Sequence, residues 1–94
     1  MGTIEERQTA GPGSGLGGMA RVIVLNDDHN TFEGVAAALA RTIPGVDRAG
    51  GLRLATTIHT QGRATVWRGP LEVAELYWEQ LRGAGLTMAP LERD

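Results

Sequence analysis

The most constraining feature of this sequence is a short apolar run that passes directly into a polar turn. The run, Val22–Leu25, is mostly β-branched, which indicates a short buried strand. The residues after position 30 have helical spacing, so residues 26–30 predict a strand-to-helix turn. Asn26, Asp27 and Asp28 therefore stand at the open end of a strand, where their oxygens either cap the next helix or bind a cation.

Periodicity, caps and breakers in the rest of the chain predict three helices and two more strands. We expect Asn30 to cap the first helix, with Glu33 reaching back to it in a capping box. Gly62 suits the left-handed residue that commonly ends a helix. The predicted elements are a helix from Thr31 to the break at Pro44, a helix from Asp47 to about Thr60, a strand Arg63–Arg68, a helix from Pro70 to residues 83–85, and a short edge strand Leu86–Leu91.

The resulting order, β-α-α-β-α-β, predicts an α+β fold in which a small sheet is covered by three helices. We expect one domain, over residues 20–94, because a chain of 94 residues has room for a single core. Residues 1–19 contrast with that domain, since positions 1–18 hold six glycines. Such a composition cannot offset the entropy of ordering the chain, and it predicts a flexible N-terminal extension.

Composition excludes several classes of protein. The chain has no cysteine, so disulfides, thiolate zinc sites and cysteine nucleophiles are excluded. No apolar run of signal-peptide length begins the sequence, and no segment approaches the roughly 18 apolar residues of a membrane span. The net charge of −2 argues against nucleic acid as the main partner. We expect a soluble, cytoplasmic and monomeric protein.

His59 is the second residue that suggests chemistry. Its spacing places it on one face of the second predicted helix with Ala55 and Ile58. A histidine at a helix end commonly has a structural role in hydrogen bonding. Close to Asp27 or Asp28, a neutral imidazole would instead accept a hydrogen bond from an ammonium group.

Metal binding and hydrolysis are both disfavoured. His29, His59 and the neighbouring aspartates match no familiar metal-ligand spacing, so we expect no metal or other cofactor. The only serine, Ser14, lies in the glycine-rich extension, and no glycine-rich oxyanion loop accompanies a pairing of His59 with an aspartate. The sequence therefore indicates a binding protein, not an enzyme.

Taken together, these residues resemble the ClpS family, the adaptors that deliver N-degron substrates to a Clp AAA+ protease. The resemblance extends over residues 21–93. The Asn-Asp-Asp turn and the His-Thr-Gln-Gly-Arg-Ala run are each suggestive and are specific in combination. The matching stretches are Val24-Leu25-Asn26-Asp27-Asp28 followed by Glu33 and Val35, Ile58-His59-Thr60-Gln61-Gly62-Arg63-Ala64, Glu72-Val73-Ala74-Glu75, and Leu91-Glu92-Arg93.

This resemblance implies a three-stranded antiparallel sheet packed against three helices, and a site for the free N-terminal residue of a substrate. The α-amino group would be bound by Asn26, Asp27, Asp28 and His59. The first side chain, of the Leu, Phe, Tyr or Trp type, would enter an apolar pocket between the first two helices. That pocket would be lined by Asn30, Phe32, Val35, Ala55, Ile58, Thr87 and Met88.

The resemblance also implies a protein partner. The surface of the third helix, near Glu72, Glu75 and Tyr77, would dock on the N-terminal domain of a ClpA- or ClpC-type ATPase. The glycine-rich extension would then engage the ATPase and trigger transfer of the substrate.

Four positions depart from the pattern of many relatives. Ala55 and Phe32 stand where methionine is common, His29 follows the Asn-Asp-Asp turn where an aromatic residue is frequent, and Tyr77 replaces a lysine. Ala55 leaves space near the β-carbon of the ligand, which predicts better tolerance of N-terminal Ile or Val unless Phe32 fills that space.

The alternative is an α/β interaction domain that resembles the C-terminal domain of the ribosomal stalk protein and has no affinity for N-terminal amines. A Leu-initiated peptide separates the two interpretations, because only the adaptor binds it.

Overall fold

Residues 18–94 are described by a computed structural model, and they form three strands and three helices. In chain order these are β1 (Met19–Leu25), α1 (Phe32–Thr42), α2 (Arg48–Gln61), β2 (Arg63–Pro70), α3 (Leu71–Gly83) and β3 (Glu92–Arg93). The predicted order and the α+β fold class are confirmed. The extension expected over residues 1–19 lies, as far as residue 17, outside the described residues, and Met19 already pairs with Pro70 in the sheet.

The apolar run recognised in the sequence is part of the central strand. β1 pairs antiparallel with both neighbours, giving the strand order β2-β1-β3. Alternate residues of β1, Ala20, Val22 and Val24, are fully buried and belong to the core. The backbone N–H of Asn26 donates to the carbonyl of Gly62 over 2.9 Å. This bond places the polar turn beside the end of α2.

The core lies between the sheet and the helices. Leu39 of α1, Ile58 of α2 and Leu81 of α3 are buried in it. α1 and α2 approach closely at Gly51, where an added Cβ would lie 2.5 Å from the carbonyl oxygen of Ala36. Only glycine permits this approach, so the two helices are fixed against each other near the pocket described below.

The caps of α2 are the residues predicted from the sequence, whereas the N-cap of α1 is a different residue. Asp47 accepts a 2.7 Å hydrogen bond from Gly50 N, and Gly62 ends α2 with φ of 87°. The expected capping box at Asn30 is wrong, because Thr31 is the N-cap and accepts a bond from the backbone N–H of the third helical residue. The Asn30 amide is directed elsewhere, into the turn that precedes the helix.

The expected strand over Leu86–Leu91 is also wrong. The segment runs antiparallel to β1 but forms only an isolated bridge, Val24 to Met88, before the ladder resumes at β3. The register shifts by one residue between this bridge and β3, and the Ala89 carbonyl accepts the Trp78 indole N–H at 2.7 Å, so the ladder is interrupted there. None of the helices in the described part of the chain has the length and apolar composition needed to span a bilayer.

Candidate functional site

The polar turn, the start of α1, the end of α2 and the segment after α3 surround a pocket of about 250 Å³. Most of the site residues predicted from the sequence do line this pocket, although they come from four separate stretches of the chain. The lining residues are Val24, Leu25, Asn26, Asp27, Asp28, Asn30, Phe32, Val35, Ala55, Ile58, His59, Leu86 and Thr87.

One residue predicted to line the apolar pocket, Met88, does not do so. Met88 is half-buried, packs against the core, and forms the bridge to Val24. Leu86 contributes to the wall of the pocket instead, and so do Val24 and Leu25, which the sequence does not assign to the site. Met88 lies at the bridge with Val24, whereas Leu86 lies before that bridge, and apolarity alone does not distinguish the two residues.

The wall of the pocket between α1 and α2 is apolar. Val35 of α1 and Ala55 and Ile58 of α2 are all buried, with Ala55 only 2% exposed. These positions lie on the inward faces of their helices, where the 3.6-residue period places them. The pocket can therefore take an apolar side chain of modest size.

Asp27 forms the structural centre of the polar turn. Its Oδ1 accepts backbone N–H groups from His29 at 3.2 Å and Asn30 at 2.9 Å. Its Oδ2 accepts the Asn30 side-chain amide and the Thr87 hydroxyl, each at 2.7 Å. The side chain is only 13% exposed. Asp27 is thus fully occupied in ordering the turn.

These bonds set the charge of Asp27. Burial by itself raises the pKa of this carboxyl, but the hydrogen bonds from Asn30, Thr87 and His29 outweigh it and hold the pKa well below its usual range. The carboxylate is therefore a fixed negative charge at the rim of the pocket.

Asp28 is different from its neighbour, because its side chain is fully exposed. The imidazole of His29 lies 3.8 Å from one oxygen of Asp28, which is longer than a hydrogen bond. The Asp28 carboxylate can thus accept bonds from a ligand. Asn26, exposed beside it, adds an amide oxygen that can also accept from a cation.

His59 also borders the pocket. It lies in the last turn of α2, and its ring meets the ring of Phe32 edge-on with centroids 5.2 Å apart. The exposed imidazole lines the same pocket as the aspartates. No cluster of three or more His, Cys, Asp or Glu side chains that could bind a metal ion occurs within residues 18–94.

The nominated residues of α3 form a separate surface. Glu72 and Glu75 are exposed, whereas Tyr77 is half-buried and packs edge-on against Trp67 with ring centroids 4.9 Å apart. Leu76, between them in sequence, is a large apolar side chain that is 53% exposed. None of these residues lines the pocket.

Comparison with known proteins gives consistent matches. The family described as "ATP-dependent Clp protease adaptor protein ClpS" matches residues 17–92. An ATP-dependent Clp protease adapter protein ClpS from Nostoc sp. (strain PCC 7120) is 57% identical over 72 residues, covering 77% of this chain and 74% of the relative. The protein of the same name from Thermosynechococcus vestitus is also 57% identical over 72 residues, with 77% of each chain covered.

A solved structure agrees with the sequence matches. Agrobacterium tumefaciens ClpS2 bound to L-phenylalaninamide superposes with a TM-score of 0.72 and 26% identity. The match covers 81% of this chain and 96% of that one. The fold, the strand order and the family match agree, and the chain belongs to the ClpS family of ATP-dependent Clp protease adaptor proteins.

Proposed function

We propose that this adaptor binds the free N-terminal residue of N-degron proteins, of the Leu, Phe, Tyr or Trp type, and is not itself an enzyme. One observation carries the proposal: the exposed Asp28 carboxylate and the His59 imidazole border the same apolar pocket. An N-terminal residue has the complementary chemistry, since its charged ammonium group and its apolar side chain are attached to the same α-carbon. The Agrobacterium relative supports it, because its ligand is an amino-acid amide with a free α-amino group.

The two aspartates have different roles in this proposal. Asp28 accepts hydrogen bonds from the ammonium group, together with the Asn26 side-chain oxygen and the His59 imidazole. Asp27 contributes its charge through space, because its oxygens already accept four bonds from the turn and from Thr87. Each charge-assisted hydrogen bond contributes about 1.5–3 kcal/mol where water is partly excluded.

The side chain of the ligand provides the other part of the affinity. Burial of a Leu or Phe side chain in the pocket contributes about 1.5–3 kcal/mol. Ordering of the peptide offsets part of the total, so a dissociation constant in the micromolar range, about −8 kcal/mol, is expected.

We propose further that the adaptor delivers its ligands to a ClpA- or ClpC-type ATPase in the cytoplasm. The exposed carboxylates of Glu72 and Glu75, beside the exposed Leu76, provide a docking surface on α3. Tyr77, which follows Leu76, packs against Trp67 and holds α3 against the strand β2. Charge reversal at Glu72 should weaken binding to the N-terminal domain of the ATPase, whereas the same change at exposed Glu33 on α1 should not.

A peptide titration tests amine recognition directly. A fluorescent peptide that begins with Leu should bind with micromolar affinity, and its N-acetylated and Met-initiated versions should bind at least about tenfold more weakly. Equal binding of the Leu-initiated peptide and its acetylated form would overturn the proposal. A domain that is not an N-degron adaptor would bind none of the three.

A further inference from the structure

The hydroxyl of Thr87 connects the two sides of the pocket. It donates a 2.7 Å hydrogen bond to Oδ2 of Asp27, sixty positions earlier in the chain. The Asn30 amide makes a parallel connection, since it donates both to Asp27 at 2.7 Å and to the carbonyl oxygen of Gly85 at 2.9 Å. The turn that carries Asn26 and Asp28 is therefore bonded through side chains to the segment after α3, whose Leu86 and Thr87 line the pocket.

The backbone of Thr87 is fixed independently of its side chain. Its carbonyl accepts the N–H of Leu25 at 2.8 Å, and Ala89 N donates to Ile23 O at 3.1 Å; these two bonds form the bridge between Met88 and Val24. Loss of the hydroxyl leaves these backbone bonds intact. The bond made by the Thr87 hydroxyl is therefore not needed to hold the segment in place. Its loss should instead affect the conformation of the turn.

The turn has a limited set of other anchors. Asp27 orders it from within, through the backbone N–H groups of His29 and Asn30. Asn26 N bonds to Gly62 O at its first residue. Thr87 fixes the orientation of the Asp27 carboxylate from outside the turn, and that orientation determines where Asn26 and the exposed Asp28 present their oxygens.

We propose that Thr87 is a positioning residue for recognition of the α-amino group: through Asp27 it orients the turn, so that Asn26 and Asp28 face the ammonium group of the ligand. This inference rests on the proposed function, and it assigns Thr87 to the amine side of the site although Thr87 also lines the apolar pocket. The side chain therefore affects recognition of the amine more than recognition of the first side chain.

Two substitutions separate the hydroxyl from the shape of the side chain. Thr87→Val keeps the β-branched shape and removes the donor, whereas Thr87→Ser keeps the donor and removes a methyl group. Two peptide ligands separate the amine from the side chain: one begins with Leu, and the other begins with 4-methylpentanoyl, which has the Leu side chain but no amino group. Binding of each ligand to the full-length wild type and variants is measured by competition, with thermal unfolding measured alongside.

Thr87→Val should weaken binding of the Leu-initiated peptide by about tenfold, which is 1.4 kcal/mol. Its affinity for the amine-free ligand should stay within about twofold of the wild type, and Thr87→Ser should retain binding of both ligands. Equal losses for both ligands would show that Thr87 serves only the pocket wall, and no loss for either would show that the turn does not need it. Wild-type protein that binds the two ligands equally well would instead overturn the proposed function.

Discussion

The phenyl ring of Phe32 meets the imidazole of His59 edge-on, with the ring centroids 5.2 Å apart and the planes at 84°. This contact joins the first residue of α1 to the last turn of α2 at the edge of the pocket. Phe32 is nevertheless 42% exposed. An apolar ligand that entered the pocket would remove part of this ring from water.

Replacement of Phe32 tests that contact. Phe32→Ala should weaken binding of a Leu-initiated peptide by about 1–2 kcal/mol, because the ligand then buries less apolar area. The melting temperature should change little, since the ring is half in solvent. Leu76→Ala is the matched control: this residue is 53% exposed but lies on α3, and its loss should leave peptide affinity unchanged. Equal effects of the two substitutions would contradict the assignment.

Ala55 should determine how the pocket treats β-branched ligands. The residue is buried and lines the pocket. Its short side chain should leave room beside the β-carbon of a bound N-terminal residue. We expect the wild type to bind Ile- and Val-initiated peptides within about tenfold of the Leu-initiated one. Ala55→Met should widen that difference by filling the space. Wild-type protein that rejects Ile and Val as strongly as the Met variant does would show that Phe32 already occupies the volume.

The two aspartates should separate binding from folding. Asp28→Asn removes an exposed carboxylate, so peptide binding should weaken by about 2 kcal/mol with little change in stability. Asp27→Asn replaces one of the two acceptor oxygens with an NH2 donor, so two of the four hydrogen bonds are lost and the fold should be destabilised by about 1–3 kcal/mol. Urea unfolding and peptide titration of both variants check the distinction. A large loss of stability in Asp28→Asn would be inconsistent with the geometry.

Acid should destabilise the wild type partly through Asp27. The pKa of this carboxyl is lower in the folded state than in the unfolded chain, where it is about 4. The stability that it contributes is therefore complete above about pH 4 and is lost as the pH falls through the folded-state pKa. The contribution of Asp94 to stability depends on pH in the same direction, because the hydrogen bond from Arg68 lowers the pKa of Asp94.

Unfolding free energies measured from about pH 6 down to about pH 3 check this dependence. The wild type should lose stability over the acidic part of that range, and Asp27→Asn should lose less, since it has no carboxyl at that position to protonate. Asp94→Asn provides the comparison for an exposed carboxyl in an ion pair. Identical slopes for the wild type and Asp27→Asn would contradict the pKa shift of Asp27.

Features determined by neighbouring residues were predictable from the sequence. Asp47 and Gly62 cap α2 as expected, because each acts on a backbone group within four positions. The run Val22–Leu25 and the turn after it were also recognisable, since β-branched residues favour strands and Asn and Asp favour turns. These local signals indicate most of the candidate site from the sequence alone.

Features that depend on distant residues were not predictable in the same way. Asn30 resembles a helix cap, but its amide donates to the carbonyl of Gly85, which no local pattern indicates. The bond between Asp27 and Thr87 spans sixty positions, so the different roles of the two aspartates became visible only in the fold. The choice of Leu86 over Met88 for the pocket wall likewise depends on the register of the final segment along β1.

The most direct test of the central claim is a map of backbone amide chemical shifts on addition of leucinamide. If the acidic turn and the apolar pocket bind a free N-terminal residue together, shifts should concentrate at Asn26, Asp28, Ala55 and His59, and N-acetyl-leucinamide at the same concentration should cause none of them. Shifts that are the same for both compounds, or that fall outside the pocket, would contradict the account.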